Sequence, residues 1–146
     1  MGKKILLVDD DPGITKVMRI RLCAAGYELT VARDGYEGLE AAQRQRPDVV
    51  LLDIVLPGMD GFEVIRRLKT LPELSDVPVV FLSAHAQGAA RHRTQAAGGA
   101  CFLPKPYDAG QLMAVIEALA GSRAGAPENV EWASDTQRAC RSTDTS

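Results

Sequence analysis

Five side chains able to do polar chemistry follow short apolar runs in this chain of 146 residues: Asp9 and Asp10 after Ile5 to Val8, Asp53 after Val49 to Leu52, Ser83 after Val79 to Leu82, and Lys105 just beyond Ala100 to Leu103. If those runs lie side by side and point the same way, the five groups converge along one edge. Three carboxylates a few ångströms apart repel by roughly 4 kcal/mol per pair at about 4 Å and an effective dielectric of about 20. Terms of that size would consume most of a domain's margin of about 5 to 15 kcal/mol, so a cation or proton must neutralise the cluster. An oxygen-only set is hard, and Mg²⁺ is its natural occupant. A lysine and a hydroxyl facing such a metal shape the cavity for a phosphoryl group.

The elements that must position these groups are legible as an alternation of short apolar runs with longer amphipathic stretches from Lys4 to about Ala120. That alternation marks repeated strand-helix units around a parallel sheet. Five runs read as strands: the four above and Leu29 to Ala32, whose Thr30 suits an edge. The first, third and fourth are apolar throughout, as strands covered on both faces should be. If the order is 2-1-3-4-5, the reversal lies between the first and third strands, which brings Asp9, Asp10 and Asp53 together. The outermost second strand should contribute nothing to the site.

Ile14, Val17, Met18 and Leu22 fall at helical spacing after Pro12, and Leu112, Val115, Ile116 and Leu119 repeat the pattern near the end. Asp60 is placed to cap a helix carrying Val64, Ile65, Leu68 and Leu71, and Asp34 one running through Leu39. Asp11 reads as a cap alone. The stretch Gly88 to Ala97 offers no large aliphatic anchor and predicts the loosest helix. Its Arg91, His92 and Arg93 read as a solvated face.

Composition bounds the rest. Seventeen basic and nineteen acidic residues give a formal charge of −2, which is no electrostatic glove for nucleic acid. Three cysteines, Cys23, Cys101 and Cys140, are widely spaced and form no Cys-x-x-Cys pair, so they read as reduced cytosolic thiols. The apolar run Ile5 to Val8 is too short for a signal peptide or a membrane span. One domain is expected over residues 1–121, with 122–146 a flexible tail of Ser, Thr, Ala, Arg and acids that also holds Trp132.

The pieces Lys4-Ile-Leu-Leu-Val-Asp-Asp-Asp-Pro, Leu51-Leu-Asp-Ile-Val-Leu-Pro-Gly-Met-Asp-Gly61, Phe81-Leu-Ser-Ala84 and Phe102-Leu-Pro-Lys-Pro-Tyr107, in that order, resemble the receiver domain of two-component response regulators. The resemblance spans about residues 3–121. It implies an α/β, flavodoxin-like fold: a five-stranded parallel sheet in the order 2-1-3-4-5 with helices on both faces. It also implies a phosphoacceptor at Asp53, and Mg²⁺ held by Asp10, Asp53 and the backbone carbonyl of Val55, with Asp9 acting through metal-bound water. Ser83 and Lys105 would grip the phosphoryl oxygens. Phe102 stands where the family usually has an aromatic that turns inward on phosphorylation, and the Lys105–Pro106 bond would be cis.

The implied chemistry is transfer of a phosphoryl group from a phosphohistidine to Asp53, followed by a switch in a protein-binding surface; this is signalling and not steady enzymatic turnover. The implied partners are a sensor histidine kinase or phosphotransfer protein, a downstream target protein, and, as a further option, a second phosphorylated copy. Nucleic acid and membrane are not among them, and the expected location is the cytoplasm. The family often has Thr where Ser83 stands. Val55 and His85 occupy variable positions, and Val55 cannot orient a hydrolytic water, so a long-lived acyl phosphate is expected unless His85 supplies that function. Two alternatives stay open. A Mg²⁺-dependent aspartyl-phosphate phosphatase would want a second acid where Val55 stands, and a non-phosphorylated scaffold would keep the fold but lose the acids or the lysine.

Overall fold

The computed structural model describes residues 2–83, 101–104 and 109–123. Its strands are β1 (Lys4–Val8), β2 (Glu28–Ala32), β3 (Val49–Asp53), β4 (Val79–Ser83) and β5 (Cys101–Pro104). The helices are α1 (Pro12–Ala24), α2 (Gly35–Gln45), α3 (Gly61–Lys69) and α4 (Ala109–Arg123). All four strand pairings are parallel, in the order β2-β1-β3-β4-β5, as expected. The strands lie within one residue of the apolar runs that announce them. The stretch Gly88 to Ala97 lies outside the described residues.

Alternation along each strand sorts the interior into two clusters. Ile5, Leu7, Val49, Leu51, Val80, Leu82 and Leu103 pack with Met18 and Leu22 of α1 and Leu112, Val115, Ile116 and Leu119 of α4. Leu6, Val8, Val50, Leu52, Val79, Phe81 and Phe102 pack with residues of α2 and α3, among them Leu39, Ala42, Val64, Ile65 and Leu68. Neighbouring side chains on one strand thus serve opposite faces. This is why the runs Ile5 to Val8, Val49 to Leu52 and Val79 to Leu82 are apolar without a break.

Helix starts follow from side-chain caps. The Asp11 carboxylate accepts from the N–H groups of Gly13 (2.9 Å) and Ile14 (3.4 Å). Asp34 accepts from Glu37 N–H at 2.8 Å and Asp60 from Glu63 N–H at 2.9 Å. Each satisfies N–H groups that the first turn leaves without a carbonyl. Two apolar residues depart from the expected faces. Val17 is 51% exposed, because α1 buries only the narrow stripe through Met18 and Leu22, from which position 17 is turned by about 100°. Leu71 lies beyond the end of α3 and is half-buried against the core. The last helix runs to Arg123, two residues past the expected boundary, and 124–146 lie outside the described residues.

The exit of β3 is held by a close approach. Gly61 N–H donates to the Ile54 carbonyl at 2.8 Å, folding the intervening loop back on the strand end. Gly58 takes the left-handed turn of that loop at φ 82°, which suits a residue without a Cβ. A Cβ on Gly61 would fall 2.6 Å from the Asp53 carbonyl oxygen and 2.8 Å from Ile54 Cα, both of them backbone. Gly61→Ala is therefore expected to lower stability by about 1 to 3 kcal/mol, read as a shift of the urea midpoint, because neither backbone atom yields like a side-chain end.

Candidate functional site

The parallel register determines which residues meet. Val8 lies opposite Ala32 on one side and Leu52 on the other, so the residues that follow them, Asp9, Arg33 and Asp53, stand in one row across the sheet. Asp9 extends the ladder by donating its N–H to the Ala32 carbonyl at 3.0 Å. One carboxylate oxygen from each of Asp9, Asp10 and Asp53 lies within 4.8 Å of the others. Asp9 and Asp53 are buried and Asp10 is exposed.

Two of these carboxylates are oriented by their own chain. Asp9 Oδ1 accepts from Asp11 N–H at 2.9 Å, and Asp53 Oδ1 accepts from Val55 N–H at 3.1 Å. Both are Asx turns, in which a short side chain closes on the backbone two residues ahead. The donor set is hard, anionic and composed of oxygen alone. Oxygens on one Mg²⁺ lie roughly 3 to 4 Å apart, and this ion keeps several waters, so the cluster fits Mg²⁺ with at most a small closure. Softer metals would ask for nitrogen or sulfur.

The other expected site residues fall as follows. Val55 is 61% exposed beside Asp53, with its N–H committed to the Asp53 carboxylate. Ser83 ends β4 opposite Pro104, which brings that strand end to the same edge. Phe102 is buried in β5, in register with Phe81. Lys105, His85, Arg91, His92, Arg93 and Trp132 lie outside the described residues.

The sequence reading gives the outermost strand no part in the site; the acidic cluster holds no residue of it, but a cavity beside the cluster does. A cavity of about 450 Å³ adjoins the acids, lined by Asp9, Asp10, Asp11, Pro12, Thr15, Arg19, Val31 and Arg33. Val31 belongs to β2 and Arg33 follows it. The signal was present: Arg33 comes directly after an apolar run, as Asp9 and Asp53 do, and Asp11, Thr15 and Arg19 share one helical face at spacings of four. A second cavity of about 470 Å³ lies between α2 and α3, lined by Tyr36, Met59, Phe62, Glu63, Arg66 and Arg67 among others. There, hydrogen bonds from Arg66 and Arg67 hold the Glu63 carboxyl down at about 2. The Lys69 ammonium, pushed below its ordinary value by burial, donates to the carbonyls of Ser75 and Val77 at 2.9 and 3.3 Å, tying the end of α3 to the approach to β4.

A doubly wound parallel sheet with an acidic, cation-shaped cluster at its switch point defines a class of phosphate- and metal-handling α/β domains. The family model of the response regulator receiver domain matches residues 5–117, and the chain belongs to that family. It is 37% identical over 116 residues to the DNA-binding dual master transcriptional regulator RpaA of Synechocystis, covering 80% of this chain and 48% of that protein. It is 39% identical over 119 residues to the response regulator PleD of Caulobacter vibrioides, covering 82% of this chain and 26% of that one. The chain thus spans about half or less of the length of these relatives. Among solved structures, the receiver domain of a Pseudomonas aeruginosa sensor histidine kinase, with a magnesium ion coordinated in its active site cleft, aligns at TM-score 0.77 and 33% identity. That alignment covers 84% of this chain and 100% of the other. No helix among the described residues is long and apolar enough to cross a membrane.

Removing one charge from the cluster should have opposite effects with and without the ion. Asp10→Asn is expected to raise metal-free stability by about 1 kcal/mol, less than the pairwise repulsion because Asp10 is exposed and screened. Mg²⁺ at about ten times its dissociation constant should add about 1.4 kcal/mol to the parent protein and clearly less to the variant, read from denaturant curves at two Mg²⁺ concentrations.

Proposed function

We propose that this receiver takes a phosphoryl group onto Asp53 from the phosphohistidine of a sensor histidine kinase or phosphotransfer protein, and thereby switches a surface read by a downstream protein. The observation that carries this reading is the meeting of Asp9, Asp10 and Asp53 at the carboxyl ends of β1 and β3 in a chain of the receiver family. Asp53 is the nucleophile. One of its oxygens attacks phosphorus while the bond from phosphorus to the histidine nitrogen breaks, and that nitrogen leaves with the electron pair. The Val55 N–H on Oδ1 fixes the carboxylate plane, so the attacking group is held in place before the donor arrives.

Asp10, Asp53 and the Val55 carbonyl would hold Mg²⁺ directly, with Asp9 acting through water; the ion supplies positive charge where the transferred oxygens gather. Ser83 and Lys105 complete the grip on those oxygens. Phosphorylation adds a charge of about −1.5 to −2, which draws Ser83 inward and gives Phe102 room to move, biasing the surface around β5.

The receiver acts as a cytoplasmic, protein-directed module, with pairing of phosphorylated copies as one form its output could take. The DNA binding in RpaA's name belongs to a protein about twice as long as the match, and a chain with a formal charge of −2 offers little attraction to nucleic acid.

Incubation with a small acyl phosphate, followed by intact mass, is expected to add one phosphoryl group with Mg²⁺, far less without it, and none to Asp53→Asn. Continuous release of inorganic phosphate without stoichiometric labelling would instead mark a phosphatase. Val55 exposes only an aliphatic side chain beside the acceptor, so the acyl phosphate should persist. Val55→Asn, whose amide is able to orient a water, is expected to shorten its half-life by roughly tenfold, about 1.4 kcal/mol in the barrier, when decay of the labelled mass is followed after donor removal. An unchanged decay would remove Val55 from control of the lifetime.

A further inference from the structure

The cavity between α1 and the end of β2 has no part in the reaction as described, yet it shares Asp9 and Asp10 with the acidic cluster. Its volume of about 450 Å³ is that of a small-molecule site. Arg19 reaches it from α1 and Arg33 from the end of β2. The ion pairs among the described residues are those of Glu63 with Arg66 and Arg67, so neither cavity arginine is held by a carboxylate. Asp34, the acid next to Arg33, caps α2 by accepting from Glu37 N–H, and Glu37 in turn accepts from the Arg33 backbone N–H. Two guanidiniums from different elements thus face one cavity with their forks uncommitted.

Charge decides what enters. Three carboxylates, Asp9, Asp10 and Asp11, line the cavity against the two guanidiniums, an excess of one negative charge. A divalent ion shared with Asp53 removes that excess, since the four acids, the two guanidiniums and the ion sum to zero, so an anion is no longer repelled and the two guanidinium forks decide what is held. Arg33 and Asp53 flank Asp9 in the row across the sheet, two strand spacings or about 10 Å apart between backbones. A short molecule with its phosphoryl group at Asp53 could therefore extend its other end to the arginines.

Resting on the phosphoacceptor reading, we infer that Arg19 and Arg33 form a subsite for a carboxylate on the part of a small acyl-phosphate donor that is not transferred, so that donors built on a dicarboxylate are preferred. In the step itself, the bond from phosphorus to the donor's acyl oxygen breaks as the bond to an Asp53 oxygen forms. The donor departs as a free carboxylate carrying the electron pair. One mixed anhydride replaces another, and no further reactant is needed. The arginines touch no reacting atom; they position the donor by charge-assisted, bidentate hydrogen bonds.

The test compares succinyl phosphate with acetyl phosphate at equal concentration and saturating Mg²⁺, reading initial rates of Asp53 labelling by intact mass. Calorimetric titration with Mg²⁺ in the presence of succinate or acetate supplies a readout independent of phosphoryl transfer. The parent protein is expected to favour the succinyl donor on the order of tenfold, equivalent to about 1.4 kcal/mol. In the double variant Arg19→Gln, Arg33→Gln, both positions being exposed, that ratio should fall to about one. Succinate should tighten Mg²⁺ binding to the parent and not to the variant, since coupling between two sites is reciprocal. Equal rates for the two donors in the parent, or a ratio that survives in the variant, overturns the subsite. So does a loss that falls on both donors in proportion, which would mark general attraction of anions. Failure of either donor to label the parent would count against the phosphoacceptor reading, while the succinate effect on Mg²⁺ binding would still decide the subsite.

Discussion

Like charges held together by a rigid sheet are the constraint on which the rest of this molecule depends. Asp9 and Asp53 end adjacent parallel strands and cannot separate without breaking the register of β1 with β3. That register is bound up with the interior, because the side chains of both strands are buried on both faces of the sheet. Burial of apolar surface at about 25 cal/mol per Å² is what holds the carboxylates at close range. The resulting repulsion is a stored affinity for a cation, and a divalent ion recovers it on binding.

The division of the carboxylates follows from their surroundings. Asp9 is fully enclosed and Asp53 nearly so, while Asp10 faces solvent. Enclosure fixes position and lowers the local dielectric, which strengthens every interaction made there. Exposure leaves Asp10 beside the adjoining cavity, where a ligand or an ion with its waters has access. One acid thus belongs to the interior and another to the approach, although the sequence writes them as neighbours.

Much of this is legible in the sequence. Unbroken apolar runs mark strands covered on both faces, and an aspartate directly after such a run is conspicuous, so β1, β3 and the acids could be placed by inspection. The assignment of side chains to faces was not readable, because Ile5 and Leu6 are equally apolar and only the packed helices distinguish them. Val17 shows the same blindness: its spacing from Ile14 is helical, but how wide a stripe α1 buries depends on where the helix lies on the sheet. Arg33 is inconspicuous in the sequence because the switch point lies between β1 and β3, whereas the residue after the edge strand stands in the same row and lines the cavity beside the acids. Lys105 lies beyond the described residues, and its partnership with the acids rests on the family pattern.

The choice of aspartate over glutamate at these positions has a local cause. Asp9 and Asp53 each accept from the N–H two residues on, and Asp11 does the same with Gly13. One methylene puts the carboxylate in reach of that N–H, and a second would carry it past. The turn that ends each strand thus also helps to orient its acid. Asparagine keeps an oxygen at that place and removes the charge, so it separates the turn from the electrostatics; glutamate keeps the charge and gives up the turn. What the strand ends share is thus a way of aiming an anion as well as its charge, and the backbone that aims it is anchored in the same ladder that forces the anions together.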